Sequence, residues 1–122
     1  MPHTILVVDD ELNVTLVKFG LSQARYKVLV AHDGDEALTV ARQQKPHLIV
    51  LDVMMPKMSG FEFMNELKVD QVLNTIPVIM LTANENMEGL FKLEGVKGYF
   101  VKPVNLKKMV DKIQSILGEN PF

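Results

Sequence analysis

The sequence predicts an α/β domain in which a parallel sheet lies between two layers of helices. Three observations predict it. Short apolar runs alternate with helical patterns from end to end. The third run, Leu48 to Val53, is apolar on both faces, as a strand buried between two helical layers must be. A chain of 122 residues is long enough for one core and too short for two.

The elements follow in order. Thr4 to Val8 reads as the first strand, ending in Asp9-Asp10-Glu11. From Leu12 onward, Val14, Val17 and Leu21 recur at three- and four-residue spacing, as on one face of a helix. Tyr26 to Ala31 is the second strand. Gly34 to Gln43 is the second helix, with Ala37, Leu38 and Ala41 on one side, closed by Pro46. After the third strand and a loop with Pro56 and Gly60, Phe61, Met64 and Leu67 mark a third helix. Pro77 opens the fourth strand, Val78 to Leu81, and a weak helical segment covers roughly 85 to 93. Tyr99 to Val101 is the fifth strand. The last helix has Asn105 as N-cap, a buried stripe of Leu106, Met109, Val110, Ile113, Ile116 and Leu117, and Gly118 as its end. No repeat or linker interrupts the pattern, so residues 1–122 are expected to form one domain.

Composition excludes several classes. Hydrophobic residues are 48% and charged residues 23%, ordinary for a globular protein. A net charge of −2 gives no footprint for direct contact with nucleic acid or with an acidic membrane. With no cysteine, disulfides and thiolate metal sites are out, and a cytoplasmic location is expected. No apolar stretch approaches a membrane span, and Met1-Pro2-His3-Thr4 leads into the first strand with no basic region and no cleavage site, so no leader is expected. The three histidines lack metal-ligand spacing, and the eight methionines read as core or loop residues.

The chemistry should sit beyond the carboxyl ends of the strands, where open α/β sheets bind ligands. Those ends carry Asp9 and Asp10, Asp52, Thr82, and Lys102-Pro103. Three converging carboxylates repel each other unless a cation is bound or some are protonated. Oxygen-only donors suit Mg²⁺, which keeps several waters and leaves room for a phosphoryl oxygen. Lys102 and Thr82 could hold other phosphoryl oxygens by charge and by hydrogen bonding. The set is suited to phosphoryl transfer onto a carboxylate. Taken singly, each piece has a plainer reading: Asp9-Asp10 as a helix cap, Asp52 as a turn residue, Lys102 as a solvated lysine. The plainer readings do not account for all of them at strand ends.

These residues also carry a family resemblance. Ile5-Leu6-Val7-Val8-Asp9-Asp10-Glu11, Leu51-Asp52-Val53-Met54-Met55-Pro56-Lys57-Met58-Ser59-Gly60, Leu81-Thr82-Ala83 and Tyr99-Phe100-Val101-Lys102-Pro103 resemble the receiver domains of two-component response regulators, chemotaxis regulators among them. The resemblance spans essentially the whole chain. It implies a flavodoxin-like (βα)5 doubly wound sandwich with strand order 2-1-3-4-5. It implies Asp52 as phosphoacceptor, taking its phosphoryl group from a sensor histidine kinase or a histidine phosphotransfer protein. Mg²⁺ would be held by Asp9, Asp10, Asp52 and the backbone carbonyl of Met54. Lys102 would pair with the phosphoryl group, Thr82 and Tyr99 would act as the switch pair, and the Lys102-Pro103 bond would be cis. The signal would leave through the surface of the 85–93 segment, the fifth strand and the last helix. Such a protein is a regulatory phosphoacceptor and not an enzyme, beyond phosphorylating and dephosphorylating itself. With Met54 and Asn84 beside the phosphoryl group, neither able to orient a water as a carboxylate would, self-dephosphorylation is expected to be slow.

Three positions depart from the family pattern. Arg25 stands where a glycine usually precedes the second strand, the stretch from Thr82 to Lys102 is about two residues short, and Gly89 lies within the weak helix. Three rivals are weighed against the resemblance, of which a receiver that has lost phosphorylation is set aside because no signature residue is missing. A Mg²⁺-dependent phosphatase working through an aspartyl-phosphate needs a second acid two residues after the nucleophile, where this chain has Met54. A flavin carrier of the same fold needs a phosphate-cradling loop after the first strand, where this chain has Asp9-Asp10-Glu11.

Overall fold

A computed structural model describes residues 2–9, 11–53, 58–83 and 95–121, with the backbone alone at 11–13. Among these residues five strands and four helices follow one another as β1 (Thr4–Val8), α1 (Glu11–Gln23), β2 (Lys27–Ala31), α2 (Gly34–Gln44), β3 (Leu48–Asp52), α3 (Gly60–Val69), β4 (Val78–Thr82), β5 (Gly98–Val101) and α4 (Leu106–Leu117). The strands form one sheet in the order β2-β1-β3-β4-β5, and every neighbouring pair is parallel. The expected weak helix over 85–93 lies outside the described residues.

The period-two alternation of the strands divides the interior into two cores. Leu6, Val8, Ile49, Leu51, Val78 and Met80 point to one face and pack with Ala37, Leu38 and Ala41 of α2 and Phe63, Met64 and Leu67 of α3. Ile5, Val7, Leu48, Val50, Ile79 and Leu81 point to the other, against Val14, Val17 and Leu21 of α1 and Met109 and Ile113 of α4. All of β3 and β4 is buried, which is why those two runs show no polar residue before their last position.

Local chemistry fixes the helix starts. Asp33 caps α2 by accepting from the Glu36 N–H at 2.8 Å, with Asp35 and Glu36 in the first turn where acids favour the helix dipole. Ser59 caps α3 by accepting from the Glu62 N–H at 3.2 Å, and Asn105 caps α4 through the Lys108 N–H at 3.1 Å. Arg25 has a left-handed backbone, φ 67°, as does Lys45 at the end of α2, φ 47°.

Two expected faces are corrected. In α3 the fully buried aromatic is Phe63, while Phe61 is only half-buried. The buried face starts at Gly60, which lies against the end of β3, and Gly60, Phe63, Met64 and Leu67 share it. In α4 only Met109 and Ile113 are fully buried, and Leu106, Val110, Ile116 and Leu117 are half-buried. The helix covers β-strands on one side only, so the flanks of its stripe remain partly open.

Candidate functional site

Parallel strands put all their carboxyl ends on one edge, and there the sequence supplies its polar residues. Asp9 follows β1 directly, its backbone N–H reaching the Ala31 carbonyl at 3.3 Å. Asp52 is the last residue of β3 and Thr82 the last of β4. Lys102 follows β5, and its backbone N–H donates to the Thr82 carbonyl at 2.7 Å. This bond extends the β4–β5 ladder by one step and delivers the lysine side chain over the ends of the inner strands. The Lys102–Pro103 peptide bond is cis.

The three polar residues that end the strands are buried: Asp9 is 1%, Asp52 5% and Thr82 3% exposed. The Lys102 ammonium lies between the acids. Its Nζ donates to Asp52 Oδ2 at 3.1 Å and to Asp9 Oδ1 at 3.3 Å, and stands 3.2 Å from Asp9 Oδ2. Burial, the largest single influence on Lys102, pulls its pKa down. Hydrogen bonds and charge from Asp52 and Asp9 outweigh it, and the net direction is up. The lysine is therefore charged at neutral pH, and two carboxylates share one ammonium.

Gly60 sets how closely α3 approaches this edge. Its N–H donates to the Val53 carbonyl at 2.8 Å. A Cβ built there would lie 2.9 Å from Val53 Cα and 3.1 Å from the Asp52 carbonyl oxygen. Behind the site, Tyr99 on β5 pairs in register with Met80 and is half-buried against the α2/α3 core. Asp10 and Met54 lie outside the described residues, as does Asn84.

The structure thus brings together Asp9, Asp52 and Lys102 by direct contact and places Thr82 at the adjacent strand end. A family model described as the response regulator receiver domain matches residues 5–114. The chain belongs to that family. It is 41% identical over 120 residues to the alkaline phosphatase synthesis transcriptional regulatory protein PhoP of Bacillus subtilis (strain 168), covering 96% of this chain and 49% of that protein. This receiver chain spans about half the length of the first curated relatives it matches. The chemotaxis response regulator CheY4 of Vibrio cholerae superposes with a TM-score of 0.87 at 33% identity, over 96% of this chain and 100% of that one. The receiver domain of sensor histidine kinase PA1611 from Pseudomonas aeruginosa PAO1 superposes with a TM-score of 0.87 at 26% identity, over 97% and 99% of the chains. That structure holds a magnesium ion coordinated in the active site cleft.

The chain is a receiver domain of two-component signalling and acts as a phosphorylation-dependent switch. The donor set agrees with the ion such domains use. Among the described residues the site brings two buried carboxylates, both hard oxygen donors, to one point beside Lys102. This fits Mg²⁺. No helix among the described residues is long and apolar enough to cross a membrane.

Proposed function

We propose that Asp52 accepts the phosphoryl group, and that residues 1–122 act as one receiver domain around it. The observation that carries this reading is the Lys102 ammonium 3.1 Å from Asp52 Oδ2, at the end of a strand whose other residues are all apolar and buried. A buried carboxylate oxygen beside a fixed cation is a nucleophile with a charge waiting for the incoming phosphoryl oxygens. In the reaction an Asp52 oxygen bonds to phosphorus while the bond from phosphorus to the donor breaks, and the donor leaves with that electron pair. Lys102 then follows the new negative charge from the carboxylate to a phosphoryl oxygen, and the Thr82 hydroxyl donates a hydrogen bond to another.

Asp9, Asp10, Asp52 and the Met54 carbonyl would hold the Mg²⁺, which would supply positive charge to offset the acids and the transferring group. A sensor histidine kinase or a histidine phosphotransfer protein supplies the phosphoryl group, which places the reaction in the cytoplasm. Thr82 and Tyr99 move together afterwards, and the change reaches partners through the surface of the 85–93 segment, β5 and α4. A downstream protein or segment carries the output.

The test uses acetyl phosphate as donor and intact mass as readout. One phosphoryl group should be gained with Mg²⁺ present, and none with the ion chelated or in Asp52→Asn. Equal gain by Asp52→Asn would overturn the assignment.

A further inference from the structure

At the opposite pole of the sheet, the start of β1, the α1–β2 turn, the loop into β3 and the end of the chain meet. The Lys27 N–H donates to the His3 carbonyl at 3.0 Å, and the His47 N–H donates to the Thr4 carbonyl at 2.8 Å. Asn120 ties the segment after α4 to this junction. Its Oδ1 accepts from the His3 backbone N–H at 2.8 Å, and its Nδ2 donates to the carbonyls of Ala24 at 3.2 Å and Arg25 at 3.0 Å. One amide side chain thus holds β1 and the left-handed turn at Arg25 together.

Two imidazoles stand at the same place. His47 Nδ1 accepts from the Thr4 backbone N–H at 2.9 Å. A backbone N–H can only donate, so Nδ1 must carry a lone pair and the His47 ring must be neutral. The His3 ring stacks on Tyr26, centroids 6.5 Å apart at 17°, and meets the His47 ring at 4.9 Å and 56°. His3 Nδ1 is buried without a hydrogen-bond partner among the described residues. Neither ring has a counter-ion there.

We propose that the His3–His47 pair is a proton-operated latch on the segment that follows α4: neutral, it keeps Asn120 docked, and charged, it releases it. A proton on His47 Nδ1 would face the Thr4 N–H, turning a hydrogen bond into a donor–donor clash. A second proton on His3 would set two like charges side by side. The remaining charges do not relieve this. Arg25, Lys27 and Lys45 on the flanking segments are cations, Glu119 beside the clasp is the one nearby acid in sequence, and all four are exposed. The amino terminus lies outside the described residues, and Tyr26, its pKa raised by burial, stays neutral in the relevant range.

Burial first, and then repulsion once His47 is charged, lower the His3 pKa below its ordinary value of 6.5. A lowered pKa in the closed state means that acid favours the open one. The closed latch is fully stable above 6.5, and that stability is lost as pH falls through the lowered value.

The experiment is an NMR titration of the full chain from pH 7.5 to 5, following the Asn120 side-chain amide, the His3 and Thr4 amides and the histidine rings. The Asn120 and Thr4 signals should shift together with a midpoint below 6.5, while Ile79 in the central sheet stays fixed. Protection of the His3 amide should fall by up to about tenfold per pH unit for each proton taken up. His47→Asn keeps an acceptor at the Nδ1 position but cannot be protonated, so only the burial of His3 remains to oppose a proton: its Asn120 signal should move less over the same range and its His3 midpoint should rise. Asn120 signals that stay flat in the unaltered chain while the histidines titrate overturn the latch. So does a His47→Asn chain that opens at the original pH.

Discussion

Replacing Gly60 by alanine would press on the backbone that carries Asp52. The added Cβ would meet Val53 Cα at 2.9 Å and the Asp52 carbonyl oxygen at 3.1 Å, and both are main-chain atoms in or beside a fully buried strand. Ordinary carbon contacts lie near 3.5–4.0 Å, so one side must give by roughly half an ångström or more. Forcing one methyl into a packed interior costs about 1–3 kcal/mol. Alanine's helix preference returns up to about 1 kcal/mol at an interior position and less here, in the first turn. A net loss of about 1–2 kcal/mol follows, read as a lower urea midpoint with an unchanged slope by circular dichroism. Gly98→Ala is the control. Its Cβ would meet the Lys112 Cε at 3.0 Å, the far end of a flexible side chain that can swing aside, so stability should change by less than about 0.5 kcal/mol. The Gly60 variant should also take up phosphoryl groups more slowly, because the Asp52 carbonyl cannot hold its place. Equal stabilities of the two variants would refute the reasoning, since it rests wholly on rigid against flexible neighbours.

Other perturbations have equally definite outcomes. Asp9→Asn leaves Lys102 with a single carboxylate partner, so the metal-free protein should be as stable or up to about 1 kcal/mol more stable in thermal melts. Added Mg²⁺ should stabilise the unaltered chain by about 2.7 kcal/mol at a hundredfold excess over its dissociation constant, and an undiminished response in Asp9→Asn would count against the metal assignment. Asp70 accepts from the Val72 and Leu73 N–H groups and from Arg42, whereas Arg42 has the ion pair alone, so Asp70→Ala should lower the urea midpoint more than Arg42→Ala. The Val72 hydrogen bond first, then Arg42, hold the Asp70 pKa below its usual 3.8, so this difference should be present above that pH and vanish as pH falls through the lowered value. Arg25→Gly should raise stability by about 1 kcal/mol, because φ 67° strains a residue with a Cβ; a loss instead would show that the arginine side chain matters more than its backbone.

How much of this was legible in the sequence depended on how regular each signal was. The runs at 48–53 and 78–81 were readable because a strand buried on both faces admits no polar residue until its end, and that end is where Asp52 and Thr82 stand. The cap of α4 was readable from Asn105 ahead of a periodic stripe. Phe63 was missed because Phe61, Met64 and Leu67 also fit a helical spacing, and the choice between them is made by the backbone contact of Gly60 with β3. Leu73 is fully buried from an irregular stretch where no period could mark it. The left-handed Lys45 left no trace either, because lysine gives no turn signal. At the site, the strand ends named the polar residues, but only the fold shows that Lys102 reaches Asp9 and Asp52 with one nitrogen. Asn120 was invisible for a different reason: its role depends on three backbone groups distant in sequence.

The position of β5 has a consequence for how the domain is made. It is the outermost strand on its side of the sheet and the last to be synthesised, yet it leads to the ammonium that touches both Asp9 and Asp52. A growing chain that has finished β1, β3 and β4 already has two acids at one edge but not the ammonium that bridges them. Burying them at that stage is opposed by their own repulsion, so the acidic edge should stay open to water until residue 102 arrives. Translation order thereby guards the site: a product cut short before β5 cannot close it, and cannot pass for a working switch.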